Sequence, residues 1–270
     1  LKPLGIDEGG YSQRWARLGL RPMRLRSTPY WLVLDPGNWG QRMTYLRGEY
    51  YERHVNLLLR RLLSPGDAFV DIGANIGVHT LLGAALVGPG GVVVAVEPNP
   101  TTFAALQGHL AVNRVRHATA HAVALGDAAG TVAISNCSGE NLGSHARPDA
   151  ASHPSMRSVR VERGDDLLAH IPIDRAGVCK IDTEGYELRV LAGMTRFVES
   201  HPRMHYCVEV TDKWLRATGG SAEELFHFFA TRNFIPFAIE RGGVRRAISK
   251  PLDDWQYDAL FVHLSQADRL

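Results

Sequence analysis

The stretch Phe69-Val70-Asp71-Ile72-Gly73-Ala74-Asn75-Ile76-Gly77-Val78-His79-Thr80 decides the fold of this chain. Apolar, β-preferring residues open it, Asp71 closes that apolar run, and glycines follow at positions 73 and 77. A helical pattern of leucines and alanines then leaves it, over residues 81–86. This order of strand, tight turn and helix is typical of the first crossover in a nucleotide-binding α/β sheet.

The spacing of the glycines limits the classes of ligand that this turn is expected to bind. Gly73 is expected to adopt a backbone conformation that a Cβ would penalise, and to let the chain approach a ligand closely. The spacing differs from G-x-G-x-x-G, and no phosphate-binding Lys-Ser/Thr pair follows. An acid before the first glycine suits a ligand with cationic or hydroxyl groups, such as S-adenosylmethionine. The alternative is an ordinary turn in which glycines serve packing and acids cap helices.

Further acids follow the next strands. Glu97 ends the strand Val92–Val96, where an acid commonly accepts hydrogen bonds from ribose hydroxyls. Asn99 can cap the helix that begins at Pro100. Asp127 ends a loop over residues 124–127, where it either accepts from an exocyclic adenine amine or serves as a turn aspartate.

The whole pattern alternates strands with helices, which predicts a mostly parallel, doubly wound α/β sheet. A helix is predicted over residues 49–63, ahead of the first strand. Strands are predicted over 118–123, 130–135, 158–162, 177–182 and 204–210, with a helix over 222–231 and a closing strand pair at 234–239 and 259–263. Ligands of such sheets bind at the carboxyl ends of the strands, and that rule gathers these acids onto one rim: Asp71, Glu97, Asp127, Asp182, Glu184 and Glu209.

Two regions show neither the hydrophobic periodicity of a helix nor that of a strand. Residues 1–48 are expected to form an N-terminal extension that packs on the main domain, which would span residues 49–270. Residues 136–157 are irregular, and a loop of that length is expected to be functional or disordered. Its position fits a lid over the site, with His145 as an outlying candidate base.

The amino-acid composition indicates the general class of protein. Of the 270 residues, 45% are hydrophobic and 21% charged, which is ordinary for a soluble globular chain. No apolar run approaches about 20 residues and no signal peptide opens the chain, so we expect a cytoplasmic protein without a membrane partner. The net charge of +2 and the absence of basic–aromatic alternation argue against a nucleic-acid partner, and the oligomeric state is left open. Cys179 and Cys207 are expected to be buried free thiols.

Four blocks in order carry a resemblance to a known family: Val70–Gly77, Val96–Pro100, Ala124–Asp127 and Lys180–Glu187. Together they resemble the FkbM-type family of S-adenosylmethionine-dependent methyltransferases over roughly residues 48–212. The block Lys-Ile-Asp-x-Glu-Gly is unusual among methyltransferases, which makes the combination specific.

The resemblance implies a class I methyltransferase (Rossmann-like) fold, with a seven-stranded sheet whose last strand is antiparallel. It implies methyl transfer, usually to oxygen, on a small-molecule acceptor such as a sugar or secondary metabolite. Mapped residue by residue, Glu97 takes the ribose of the cofactor and Asp127 lies near its adenine. The methionine part of the cofactor is lined by Asp71, Gly73, Asn75 and Gly77.

An alcohol acceptor benefits from a general base, and Asp182 and Glu184 are the candidates, with Glu209 behind them. Lys180 can pair with one of these carboxylates and hold it ionised. The alternative for this group is an ion-pair and capping cluster at a strand end. A less favoured possibility is that Asp182, Glu184 and Glu209 share a divalent metal ion.

Other functions compete with O-methylation of a small molecule. An RNA or other macromolecule methyltransferase would use the arginine-rich first part of the chain. A nicotinamide-dependent oxidoreductase on a similar sheet is disfavoured because the third glycine is missing at its required spacing. A non-catalytic binding module would keep the fold without the chemistry.

Overall fold

The computed structural model describes residues 13–26, 28–135, 156–240, 242–243 and 245–269. Its strands are β1 Arg21–Arg24, β2 Trp31–Leu34, β3 Ala68–Ile72, β4 Val92–Val96, β5 Ala118–His121, β6 Ala124–Leu125, β7 Gly130–Ser135, β8 Met156–Glu162, β9 Gly177–Ile181, β10 Met204–Val210, β11 Phe234–Ile239, β12 Arg245–Ala247 and β13 Tyr257–His263. Its α-helices are α1 Trp39–Arg47, α2 Arg53–Leu62, α3 Val78–Val87, α4 Pro100–Val112, α5 Gly164–Leu167, α6 Glu187–Gly193, α7 Thr195–Ser200, α8 Asp212–Ala217 and α9 Ala222–Ala230. Short 3₁₀ turns cover Leu168–His170 and Leu264–Arg269.

The central sheet has the strand order β12-β11-β13-β10-β9-β3-β4-β5. Strands β5, β4, β3, β9 and β10 run parallel, and β13 is antiparallel between β10 and β11. The prediction of a mostly parallel α/β sheet with an antiparallel last strand is therefore confirmed. The predicted number of seven strands is wrong for the described residues, because β12 pairs with the edge of β11 and makes an eighth.

Two hydrophobic cores lie on the two faces of this sheet. On one face Val70, Ile181 and Tyr206 pack with α6, α7 and α9. On the other face Phe69 and Val178 pack with α2, α3 and α4. Since successive side chains of a strand point to opposite faces, both faces of the central strands are buried, which is why they read as unbroken apolar runs. Cys179 and Cys207 are buried free thiols, as predicted.

A small second sheet has the order β6-β8-β7. The sequence predicted a loop over residues 124–127, but Ala124–Leu125 pairs in parallel with β8 before the turn begins. A two-residue strand is too short to show a period of its own, so only its tertiary partner reveals it.

The segment ahead of the main sheet is more ordered than its sequence pattern predicted. Strands β1 and β2 form an antiparallel pair, and α1 follows. Helix α1 begins at the Asn38 cap, whose side chain accepts from Gln41 N, and ends at Gly48 with φ +68°. This helix is defined by its caps and has no apolar stripe, so the hydrophobic pattern of the sequence did not predict it. Helix α2 starts at Arg53, four residues later than the predicted start at Glu49.

His109 of α4 links this segment to the glycine turn. Its Nδ1 lies 2.7 Å from Ile76 O, and Val33 N donates to its Nε2 at 2.9 Å. Because Nε2 accepts, Nδ1 carries the hydrogen and the ring is neutral. Burial lowers the pKa of His109, which agrees with that neutral form.

Replacing His109 with leucine is expected to lower the free energy of unfolding by about 1–3 kcal/mol, because Val33 N and Ile76 O would lose their shared partner. Urea denaturation measures this loss. His170→Leu, at an exposed position, is the control and is expected to stay within about 0.5 kcal/mol of the wild type. Equal stabilities for the two variants would contradict the bridging role.

Candidate active site

The topology places a crevice between β3 and β9. The chain runs from β3 outward to β4 and β5, and returns to the other side of β3 as β9. In open α/β sheets ligands bind at such a switch point, outside the carboxyl ends of the strands. Gly73 follows β3 there and Asp182 follows β9, and Asp182 N donates to Ile72 O at 3.0 Å.

Gly73 sits at this point with φ +83°, and its N–H donates to Val96 O at 2.9 Å. A Cβ on Gly73 would overlap the carbonyl oxygen of Asp182. The positive φ confirms the predicted conformation, which a Cβ would penalise. The backbone that follows β9 fills the space at the Cβ position. The predicted close approach of this turn to a ligand stays a prediction.

The rest of the turn is held by Glu97. Glu97 Oε2 accepts from Asn75 N, and Oε1 accepts from Asn99 N and Thr102 Oγ1, each at 2.8 Å. Burial raises the pKa of Glu97, and these hydrogen bonds oppose the rise. A carboxylate oxygen can accept more than one hydrogen bond, so Oε2 keeps capacity for a further donor such as a ribose hydroxyl.

Two further turn residues have left-handed backbone. Asn75 has φ +51°, and Gly77 has φ +86° and stands at the start of α3. Asn is the residue that tolerates this region best after glycine. The two positions bring the chain out of β3 and redirect it into α3 within a few residues.

Asp71 lies beneath the turn and is 1% exposed. Its Oδ2 accepts from Thr80 Oγ1 at 2.6 Å, while Oδ1 is buried with no hydrogen-bond partner among the described residues. Burial raises the pKa of Asp71. A buried carboxylate oxygen without a donor is costly, so it suits a cationic or hydroxyl-bearing ligand.

Strand alternation puts several acids on one face of the sheet. The side chains of Phe69, Val178 and Cys207 belong to the core under α2 and α3. Asp71, Lys180 and Glu209 lie two positions after these residues and share their face. Asp182 directly follows β9 and pairs with Lys180, and Asp258 stands opposite Glu209. These residues form an acidic rim, defined as Asp71, Asp182, Glu209 and Asp258 together with Lys180.

Lys180 is the positive centre of the acidic rim. Its Nζ lies 2.7 Å from Asp182 Oδ2, and the residue is 3% exposed. Burial alone lowers the pKa of Lys180, but the carboxylates of Asp182, Glu52 and Asp71 raise it, and the result lies well above the usual value. The sequence-predicted pair is thus present, and Lys180 also faces Glu52, which was not predicted.

Glu184 follows in a tight turn with φ +55°, a backbone region uncommon for a residue with a side chain. Buried Glu187 holds this turn, because its Oε1 accepts from Thr183 N at 2.8 Å and from Gly185 N at 3.1 Å. Burial, with Asp182 and Glu187 nearby, raises the pKa of Glu184 to about 8.

Glu209 of β10 is 8% exposed and accepts from Gln256 Nε2. Burial raises the pKa of Glu209 well above its usual value, and Asp182 and Glu184 add to the rise. The structure therefore places all four sequence-predicted catalytic candidates at neighbouring strand ends.

Sequence reasoning missed the groups that α2 and β13 contribute. His54 Nε2 lies 2.6 Å from Asp258 Oδ2, and Asp258 stands opposite Glu209 in the β10–β13 pair. Glu52 lies beside the start of α2, and burial raises its pKa to about 7 while Lys180 opposes the rise. The family resemblance covers roughly residues 48–212, a range that includes Glu52, and this was the available signal for it.

Two further predicted cofactor residues lie outside the acidic rim, Asn99 buried and Asp127 exposed. Asn99 Oδ1 accepts from Thr101 N at 2.9 Å and caps α4, as predicted. The Asp127 carboxylate is half-exposed and pairs with Arg189 at 3.1 Å. Its place near an adenine stays a prediction. The predicted lid, including His145, lies outside the described residues except for its last two positions, which belong to β8.

Among the residues that the structure describes, no group of three or more His, Cys, Asp or Glu side chains has the arrangement of a metal site. Across the same ranges, every helix is too short or too polar to cross a bilayer.

Comparison with known proteins places these features in a family. The model of the FkbM methyltransferase domain matches residues 71–236. The chain is 36% identical over 163 residues to the 31-O-demethyl-FK506 methyltransferase FkbM of Streptomyces tacrolimicus, covering 49% of this chain and 61% of that protein. It is 32% identical over 170 residues to the hexuronic acid methyltransferase AglP of Haloferax volcanii, covering 59% and 62%.

The chain thus spans about three fifths of the length of these curated relatives. Among solved structures, it is similar to the FkbM methyltransferase of Methylobacillus flagellatus, with a TM-score of 0.48 and 17% identity. That likeness covers 93% of this chain and 58% of the other.

Gly73→Ala is expected to destabilise the protein by more than about 4 kcal/mol, because backbone strain and a clash with Asp182 act together. Gly66→Ala is the matched control, since Gly66 has φ +92° but open space at its Cβ position. Backbone strain alone should cost about 1–2 kcal/mol there. Chemical denaturation compares the two, and similar losses would show that Asp182 does not confine Gly73.

Glu184→Gln is expected to stabilise the protein at alkaline pH. Since the pKa of Glu184 is raised in the folded state, its ionisation opposes folding, and wild-type stability falls as pH rises from about 4.5 towards 8. The variant should melt several degrees above the wild type near pH 8.5, because each kcal/mol shifts the melting temperature by about 2–4 °C in a domain of this size. Near pH 5 the two should melt together, and exposed Glu223→Gln should show no pH-dependent gap. A gap of equal size at both pH values would contradict this account.

Proposed function

The chain belongs to the FkbM methyltransferase family, and from that membership we propose that it transfers a methyl group from S-adenosylmethionine to a hydroxyl oxygen of a small molecule. The observation that carries the proposal is the acidic rim at the switch point between β3 and β9. A strand-end site with convergent carboxylates suits a donor that bears a sulfonium and an ammonium group.

The chain's own residues fit this cofactor. Glu97 Oε2 has acceptor capacity for a ribose hydroxyl, and Asp71 Oδ1 is a buried acceptor without a donor. When bound, S-adenosylmethionine supplies a methyl group that is already activated by its sulfonium. We assign its methionine part to the turn from Asp71 through Asn75 and Gly77, and its adenine to the neighbourhood of Asp127.

Within the acidic rim, Asp182 is proposed as the proton acceptor for the hydroxyl of the acceptor molecule. The ammonium of Lys180 lies 2.7 Å from it and favours the charged carboxylate. Burial raises the pKa of Glu184 to about 8, so near neutral pH its protonated carboxyl group can donate a hydrogen bond and orient the acceptor. Burial also raises the pKa of Glu209, which lies behind it. Holding the hydroxyl in line with the methyl group then supplies much of the rate.

The acceptor is proposed to be a sugar or a secondary metabolite. One relative is named for 31-O-demethyl-FK506 and another for hexuronic acid. Both names describe small organic acceptors, and family membership favours this class over RNA or a nicotinamide reaction for the present chain.

Radiolabelled methyl transfer from S-adenosylmethionine to a panel of sugars and secondary metabolites tests the proposal. Asp182→Asn should lower kcat by about 10²–10⁴-fold, the usual range for a general base. Its affinity for S-adenosylhomocysteine, measured by calorimetry, should change little. Asp174→Asn, at an exposed position, is the control and should keep the wild-type kcat and the wild-type affinity for S-adenosylhomocysteine. Wild-type protein that does not bind S-adenosylhomocysteine would contradict the proposal.

A further inference from the structure

His79, the second residue of α3, has a buried nitrogen with no explained role. The residue is 5% exposed, and its Nε2 has no hydrogen-bond partner among the described residues. The Glu52 carboxylate lies 3.8 Å from Nε2, beyond hydrogen-bond distance, and the Tyr50 ring stands edge-on with centroids 4.7 Å apart. A buried polar atom without a hydrogen bond costs free energy of folding, and a bound ligand could supply the missing partner of this nitrogen.

The start of α3 adds a second feature. Gly77 stands at the cap position and has no side chain to accept from the first N–H groups. Helix starts carry a partial positive charge and unsatisfied donors, so they attract anions. Helix α3 has ten residues, long enough for this effect.

The next residue ties His79 to Asp71. Thr80 Oγ1 donates to Asp71 Oδ2 at 2.6 Å, which fixes the Asp71 carboxylate against the same helical turn. Asp71 Oδ1 is a buried acceptor without a donor, while His79 Nε2 is a buried nitrogen without a partner. In the tautomer that carries its hydrogen on Nε2, these two atoms are an unused acceptor and an unused donor, and they complement the ammonium and carboxylate of an α-amino acid.

We propose that His79 is a binding residue for the α-carboxylate of the methionine part of S-adenosylmethionine, to which it donates a hydrogen bond through Nε2. The inference rests on the proposed function and extends it to a residue outside the predicted set. Burial lowers the pKa of His79 well below its usual value, so the ring is neutral and binds as a hydrogen-bond donor.

Glu52 is the acid whose carboxylate lies 3.8 Å from His79 Nε2, and it would oppose an anion bound there. Burial raises the pKa of Glu52 to about 7, so near neutral pH a large share of it is protonated and repels a carboxylate weakly. The rival role for His79 is to support Glu52 alone. That role predicts no dependence on the amino-acid part of a ligand.

Two ligands and two variants separate these roles. S-adenosylhomocysteine carries the α-amino acid, and 5′-methylthioadenosine keeps the thioether nucleoside without it. His79→Gln places an amide nitrogen near the position of Nε2, whereas the shorter side chain of His79→Asn does not reach it. Both replacements are polar, and thermal melts report whether each variant folds.

Calorimetry should show His79→Asn weakening S-adenosylhomocysteine binding by about 10–100-fold, the effect of losing a hydrogen bond to a charged group. His79→Gln should stay within about 5-fold of the wild type, and both variants should bind 5′-methylthioadenosine within about 2-fold of it. His170→Asn, at an exposed position, is the control and should leave both affinities unchanged.

The outcomes distinguish this inference from the proposed function. If the wild type binds S-adenosylhomocysteine and His79→Asn binds it equally well, the role of His79 is overturned alone. Equal weakening of both ligands would also overturn it, because the effect would not involve the carboxylate. Wild-type protein that binds neither ligand would overturn the proposed function and this inference with it.

Discussion

The buried ammonium group of Lys180 makes the acidic rim possible. Carboxylates on adjacent strand ends repel one another, and burial deprives them of the water that would screen that repulsion. A fixed positive charge at 2.7 Å from Asp182 offsets this cost, and the carboxylates in turn keep Lys180 protonated. Removing one charge from such a group leaves the others uncompensated, so the rim behaves as a unit.

Two buried carboxylates give the site its shape. Glu97 gathers donors from the glycine turn and from the start of α4, and Glu187 gathers donors from the turn after β9. Both turns contain residues with positive φ, which persist only where surrounding bonds hold them. Glu97 therefore fulfils the capping alternative and keeps capacity for a ligand, so the two interpretations of this acid are compatible.

The strands β3, β4, β9 and β10 were predictable because they are buried on both faces and an acid or a glycine stands at or next to their carboxyl ends. The same pattern, an acid at the carboxyl end of a strand, predicted that Asp182, Glu184 and Glu209 would lie close together. His54 and Asp258 could not be found in this way, because they meet across 204 positions of sequence and belong to a helix start and a closing strand. Strand β12 was not predicted for a similar reason, because three residues at a sheet edge are too few to show an alternating hydrophobic pattern.

The imidazole of His109 has a practical consequence for shortening this protein. A fragment trimmed to begin at the main sheet would keep every residue of the acidic rim, yet it would lack Val33, whose N–H holds one side of that ring. The ring would then be free to rotate or change tautomer, and its grip on Ile76 would loosen. The order of the glycine turn therefore depends partly on residues outside the segment that the family model matches, and a shortened fragment should retain the hairpin of β1 and β2.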